Sequence, residues 1–161
     1  MCKAALLLPI VLLTAPLAAK DSLGIFEDWG AFRDANAARC YAIAAPIPDR
    51  GATNADAYAS VGTWPRQRVR GQVYFRLAQS APSGSATLTI GRQRFALVAS
   101  GNGAWAKDAR MDAAIIAAMR SAETMTVRSR DATGRSQVAT YRLSGAASAL
   151  DAATLACARR P

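Results

Sequence analysis

The clearest periodicity in the chain runs from Arg66 to Leu77. Val69, Val73, Phe75 and Leu77 occupy odd positions, while Arg66, Arg68, Arg70, Gln72, Tyr74 and Arg76 occupy even ones. Alternate side chains of a strand point to opposite faces, so this segment predicts a half-buried antiparallel strand. One face is apolar and the other is a line of arginines with a tyrosine set into it.

Other strands follow from the same reasoning. Ala38 to Pro46 is a short apolar run bounded by Pro46 and Pro48, which predicts a largely buried strand carrying Cys40. Ile25 to Arg33 reads as a strand kinked near Gly30, with Trp29 as its anchor. Asp34-Ala35-Asn36 is turn chemistry, Pro46 to Asp56 is a loop, and Ala57 to Trp64 is a strand stopped by Pro65. Ala78 to Ser85 reads as a loop.

Ala86 to Ala99 reads as a hairpin about a Gly91-Arg92 type II′ turn, which sets Leu88 opposite Phe95 and Ala86 opposite Leu97 on one face. Thr89 with Arg94 and Thr87 with Ala96 fall on the other. Gly101-Asn102-Gly103 reads as a further turn. Met125, Val127 and Ser129 alternate with Thr126, Arg128 and Arg130, and Ala139, Tyr141 and Leu143 return from a turn at Asp131 to Gly134.

Two helices complete the pattern. Asp108 is a candidate N-cap ahead of Met111, Ile115, Met119 and Ala122, spaced three or four apart. Ser144-Gly145 opens an alanine-rich helix in which Ala147, Leu150, Thr154 and Cys157 share a stripe. Strands outnumber helices and turn signals recur closely. The expected fold is therefore mainly β, an antiparallel β-sandwich or a curved sheet with two short helices, in a single domain.

The first 19 residues stand apart from this pattern. Lys3, the apolar run Ala4 to Leu13, and a Leu17-Ala18-Ala19 stretch that ends in small residues before Lys20-Asp21 have the layout of a secretory signal peptide. A membrane anchor is the alternative. The apolar run is short for a span of about 20 residues, and Pro9 and Pro16 interrupt it. Cleavage after Ala19 leaves 142 residues, enough for one core. The chain is then expected in the periplasm or secreted, and not membrane-spanning. Of three cysteines, Cys40 and Cys157 remain, an even number in an oxidising space. A Cys40–Cys157 disulfide is expected; two buried free thiols are the alternative.

Removal of Lys3 leaves 19 basic against 11 acidic residues, a net charge of +8, with 17 of the basic residues arginine. Such a charge draws anionic partners: lipid headgroups, polyanionic glycans or nucleic acid. Export argues against nucleic acid. The chain has no histidine, which removes Ser-His and Cys-His nucleophiles and imidazole metal ligands. No C-x-x-C occurs, and Gly101-x-Gly103 lacks the rest of a dinucleotide fingerprint. Asp49, Asp56, Asp108, Asp112 and Asp131 fall in loops or at helix starts, where turn and capping roles account for them. No enzyme activity, cofactor or metal is expected.

The candidate site is a cationic platform of Arg66, Arg68, Arg70, Tyr74, Arg76, Arg94, Arg128 and Arg130, with Arg92 nearby. Guanidinium forks suit phosphate or carboxylate, and the tyrosine offers a stacking surface. The plainer reading is a solvated sheet face in which the arginines serve solubility.

Glu27-Asp28-Trp29, Arg39-Cys40-Tyr41, the helix segment Asp112 to Met119, and Tyr141 to Leu150 ahead of a terminal cysteine helix resemble the invasion-associated locus B family of Gram-negative exported proteins. The resemblance implies a periplasmic or surface-associated β-rich protein and carries over no catalytic residue. Two functions are expected. The first is a non-enzymatic envelope or host-interaction protein whose basic sheet face binds an anionic envelope glycan or lipid. The second is an inhibitor or accessory module docking on another exported protein through a loop such as Ile47 to Asp56.

Overall fold

The computed structural model describes residues 20–48, 56–82 and 84–158. The leader and most of the Ile47 to Asp56 loop therefore lie outside the described residues. Nine strands and two helices follow one another: β1 (Asp21–Phe26), β2 (Trp29–Asp34), β3 (Arg39–Ala44), β4 (Tyr58–Trp64), β5 (Val69–Ala81), β6 (Ala86–Ile90), β7 (Gln93–Trp105), α1 (Ala109–Met119), β8 (Thr124–Arg130), β9 (Ser136–Arg142) and α2 (Ala146–Ala158).

Of the two architectures expected, the curved sheet is the one present, and there is no sandwich. All strands pair antiparallel in one sheet of order β1-β2-β3-β4-β5-β7-β6-β8-β9. β7 makes this continuity. Its first half pairs with β6 through Gln93 to Leu97, and its second half pairs with β5 through Gly101 to Trp105. Gly101-Asn102-Gly103 is thus a bend within a strand, where the sequence pattern suggested a turn between elements.

The sheet curls so that its concave face meets itself without closing into a barrel. Trp29 Nε1 of β2 donates to Arg142 O of β9 at 2.9 Å, and Ile47 N donates to Thr140 O at 2.7 Å. These bonds cover part of the open edge of β9, which would otherwise present unpaired carbonyls. Inside the curl, the Phe75 and Tyr141 rings lie 6.2 Å apart, both buried.

Local expectations hold in most places. The β6–β7 hairpin has the predicted register throughout, with Leu88 on Phe95, Ala86 on Leu97 and Thr89 on Arg94. Asp108 caps α1 by accepting from Met111 N at 2.8 Å. The β8–β9 hairpin buries Met125, Val127 and Tyr141 as expected.

Other expectations need correction. The predicted kinked strand over Ile25 to Arg33 is a hairpin of β1 and β2, turned at Glu27-Asp28 with Glu27 at φ 50. The predicted strand over Arg66 to Leu77 starts only at Val69, because Pro65 cannot donate to the ladder and opens a 3₁₀ turn, Pro65–Gln67, closed by Arg68 N on Pro65 O. The strand then runs on to Ala81, through residues expected in a loop.

Both helices pack on the concave face. α2 buries Ala146, Ala149, Leu150 and Ala153 against β2 and β3, while Thr154, expected in the stripe, is exposed. β2 and β3 bury the alanines Ala31, Ala42 and Ala44 in the same core, so small residues on both elements suit a close approach of helix and sheet. Gly145 starts the helix at φ 78, and a Cβ there would collide with Phe26 O at the end of β1. Cys157 bonds to Cys40, Cα to Cα 5.8 Å across 117 residues of sequence. The clasp thus ties the last helix to β3, as the cysteine count suggested. α1 places Ile115 and Met119 in the core, and its Asp112 Oδ1 accepts from Val73 N at 2.8 Å.

Candidate functional site

The arginines predicted as one platform are divided by the fold among three places. Alternation along β5 holds from Gln72, so only Tyr74 and Arg76 stand on its convex face as expected. Arg94 and Arg128 share the convex face of the β7–β6–β8 half, beside Thr89 and Thr87 respectively. Arg130 extends that row and donates to Gly134 O at 3.1 Å. Arg66, Arg68 and Arg70 fall elsewhere. The 3₁₀ turn, the left-handed Arg68 (φ 57) and Gly71 (φ 64) break the two-residue period and bring them to the corner between β4 and β5.

That corner faces the end of α2, and two depressions meet there on either side of Cys157. The larger, about 730 Å³, is lined by Arg33, Asp34, Ala38, Arg39, Pro65, Arg66, Ala156 and Cys157. The smaller, about 340 Å³, is lined by Thr63, Pro65, Arg68, Arg70, Gly71, Thr154, Cys157 and Ala158. Five arginines thus surround the disulfide. Arg33 and Arg39, supplied by β2 and β3, were missed from the sequence because they lie about 30 positions from the other three.

The charges in this cleft are only partly neutralised. Arg33 pairs with Asp21 at 2.6 Å, and Arg39 with Asp34 at 3.7 Å. Arg39 Nε is buried and makes no hydrogen bond among the described residues. Its guanidinium also lies 4.7 Å from the centre of the Tyr41 ring. Arg66, Arg68 and Arg70 form no ion pair among the described residues and are exposed. A cleft with guanidinium donors on several sides suits a carboxylate, sulfate or phosphate group.

Asp49 lies outside the described residues, and several of the other carboxylates have structural partners. Asp108 caps α1, and Asp131 accepts from Thr133 N, Thr133 Oγ1 and Arg135 N, which hold its carboxyl below the usual range. Asp151 is likewise lowered by its bond from Arg120, which joins α2 to the end of α1 at 2.6 Å. Asp112 was expected in a capping or turn role. It is instead buried against β5, where burial raises its pKa, Val73 N–H opposes the rise and Asp108 adds to it. No group of three or more His, Cys, Asp or Glu side chains suited to a metal occurs among the described residues. No helix among them is long and apolar enough to cross a membrane.

Fold and site together define a small β-domain built on one curled antiparallel sheet, clasped by a cystine and carrying an arginine cleft beside it. The chain belongs to the family described as invasion associated locus B (IalB) protein, whose model matches residues 31–154. No curated protein and no solved structure matches it.

Proposed function

We propose that this chain is a non-enzymatic exported protein, periplasmic or secreted after loss of its leader, that binds an anionic component of the cell envelope or a host surface. The carrying observation is the cleft of Arg33, Arg39, Arg66, Arg68 and Arg70, where three guanidinium groups lack carboxylate partners among the described residues and a fourth keeps an unbonded Nε. The disulfide supports export, since such bonds persist in oxidising compartments. The ligand chemistry is that of an acidic glycan or a lipid headgroup.

The test uses dextran sulfate against neutral dextran, and phosphatidylglycerol vesicles against phosphatidylcholine. Binding to both anionic probes should weaken as salt rises, because the Debye length shrinks from about 10 Å at 0.1 M to 3 Å at 1 M. Replacing Arg66, Arg68 and Arg70 with serine should abolish that binding and leave Tm nearly unchanged. Retention of binding by the triple variant would refute the assignment to this cleft. A module docking on another exported protein is the second reading, and a single stoichiometric, salt-insensitive partner would favour it.

A further inference from the structure

A second surface lies on the convex side of the sheet, opposite both helices. The register across β1 to β5 and β7 runs Ile25, Gly30, Ile43, Ser60, Tyr74 and Trp105 in one row. The adjoining row carries Phe32, Tyr41 and Gly62, with the Trp64 ring over Gly62. Tyr58 stands beside Tyr74, ring centres 6.0 Å apart, and Phe32 stacks on Tyr41 at 5.7 Å and 28°. Tyr41 is buried under the Arg39 guanidinium, while Phe32, Tyr58, Trp64, Tyr74 and Trp105 are half-buried and form a contiguous aromatic surface on the open side of the sheet, which calls for an occupant.

The rings are also held in a particular attitude. Residues two apart share a face of a strand, and the chain repeats glycine-x-aromatic at Gly30-Phe32, Gly62-Trp64 and Gly103-Trp105. A Cβ on Gly30 would lie 2.7 Å from the Phe32 ring, one on Gly62 2.5 Å from Trp64, and one on Gly103 3.1 Å from Trp105. Each ring therefore lies over its glycine, where the missing side chain leaves it room against the sheet. Flat π-faces in a row suit the C–H faces of pyranose rings. The Tyr58 and Tyr74 ring centres, 6.0 Å apart, are spaced on the scale of one sugar in an extended chain.

Charge selects among occupants. Arg39 reaches from the cleft to Tyr41, and Arg76 stands opposite Tyr58, so guanidinium groups border the aromatic rows. Two copies meeting through this face would bring their arginines together, which disfavours self-association. A lipid surface is better met by a cluster of protruding apolar side chains, and in these rows Ile25 at the edge is the one large apolar side chain that is exposed.

We propose that the convex face of β2 to β5 and β7 is a stacking platform for a chain of acidic pyranoses, whose carboxylate or sulfate groups reach the arginine cleft at Arg39. The proposal rests on the anion-binding reading of that cleft and specifies its ligand as glycan. Tyr58 and Tyr74 supply hydroxyls alongside the stacking faces. Burial and the nearby Tyr58 raise the Tyr74 pKa while Arg76 opposes the rise, so at neutral pH Tyr74 remains a donor.

The experiment titrates the oxidised protein with an oligogalacturonate, with maltohexaose as neutral control and phosphatidylglycerol vesicles as a non-glycan anion. Calorimetry gives affinity, and tryptophan fluorescence reports Trp64 and Trp105, since Trp29 is fully buried. Oligogalacturonate should perturb the fluorescence and bind more tightly than maltohexaose. The paired substitution Tyr58→Ser and Tyr74→Ser should weaken it about tenfold while vesicle binding persists. The single variant Trp105→Leu should show the same split, and serves if the paired variant does not fold.

Salt-sensitive vesicle binding together with oligogalacturonate binding that leaves the fluorescence unchanged, or that both variants retain, overturns the platform and leaves the cleft intact. Binding to neither anionic probe overturns the cleft and the platform with it. A tight complex with a protein partner seated on these rings would also overturn the glycan assignment.

Discussion

Replacing Cys40 and Cys157 together by alanine is the perturbation whose size the structure fixes best. The bond closes 117 residues of sequence, and the chain-entropy relation assigns such a loop about 5 kcal/mol at 25 °C. That is a large share of the roughly 5–15 kcal/mol that stabilises an ordinary domain. The dependence should be strong here because α2 brings mainly alanines to the sheet and buries little apolar area per residue. With a urea m-value of about 2 kcal/mol/M, the midpoint should fall by about 2–3 M. The assay is urea unfolding of the variant and of wild type with and without reductant, followed by far-ultraviolet dichroism and tryptophan fluorescence. Reduced wild type should resemble the variant, and both should show a larger m than the oxidised protein, because the denatured chain without its cross-link is less compact. A midpoint shift below about 0.5 M would refute the reasoning and show that packing alone secures the helix.

Further outcomes follow from single contacts. Asp112→Ala leaves Val73 N–H buried without its acceptor and should cost about 1–3 kcal/mol in urea unfolding, whereas Asp112→Asn keeps an acceptor and should cost less. Because the folded state raises the Asp112 pKa, it binds more protons than the unfolded chain just above the ordinary carboxylate value of about 3.9. This residue's contribution to stability therefore declines as pH rises from there through the raised value, and Asp112→Asn should remove that slope from stability measured against pH. Gly145→Ala combines a left-handed φ with a collision against Phe26 O and should cost more than about 2 kcal/mol by thermal or urea unfolding.

Much of the fold was legible where local chemistry settles geometry. The β6–β7 hairpin was readable because Gly91 supplies the turn and matched apolar pairs fix the register. Asp108 announced α1, and the cysteine count announced the clasp. The β1–β2 hairpin was hidden because its turn uses Glu27 in a left-handed conformation and carries no glycine, proline or asparagine. Gly101-Asn102-Gly103 misled for the opposite reason: turn residues there let one long strand bend from one partner to another. The adjacency of β5 and β7 is a long-range choice with no local mark.

The site was less legible than the fold. Alternation alone placed Arg66, Arg68 and Arg70 in line with Tyr74, but Pro65 and Gly71 interrupt the strand and turn them toward α2. Arg33 and Arg39 join them only through the pairing of β2, β3 and β4. The aromatic face did leave a signal, the recurring glycine-x-aromatic triplet, and its meaning depends on adjacent strands lining the triplets up.

The arginine cleft is tested most directly by following the guanidinium Nε–H resonances of the oxidised protein by NMR during titration with dextran sulfate. Signals of Arg33, Arg39, Arg66, Arg68 and Arg70 should shift together and saturate, while those of Arg94, Arg128 and Arg130 stay near their starting positions. Shifts confined to the β6–β8 face, or spread evenly over every arginine, would contradict the account.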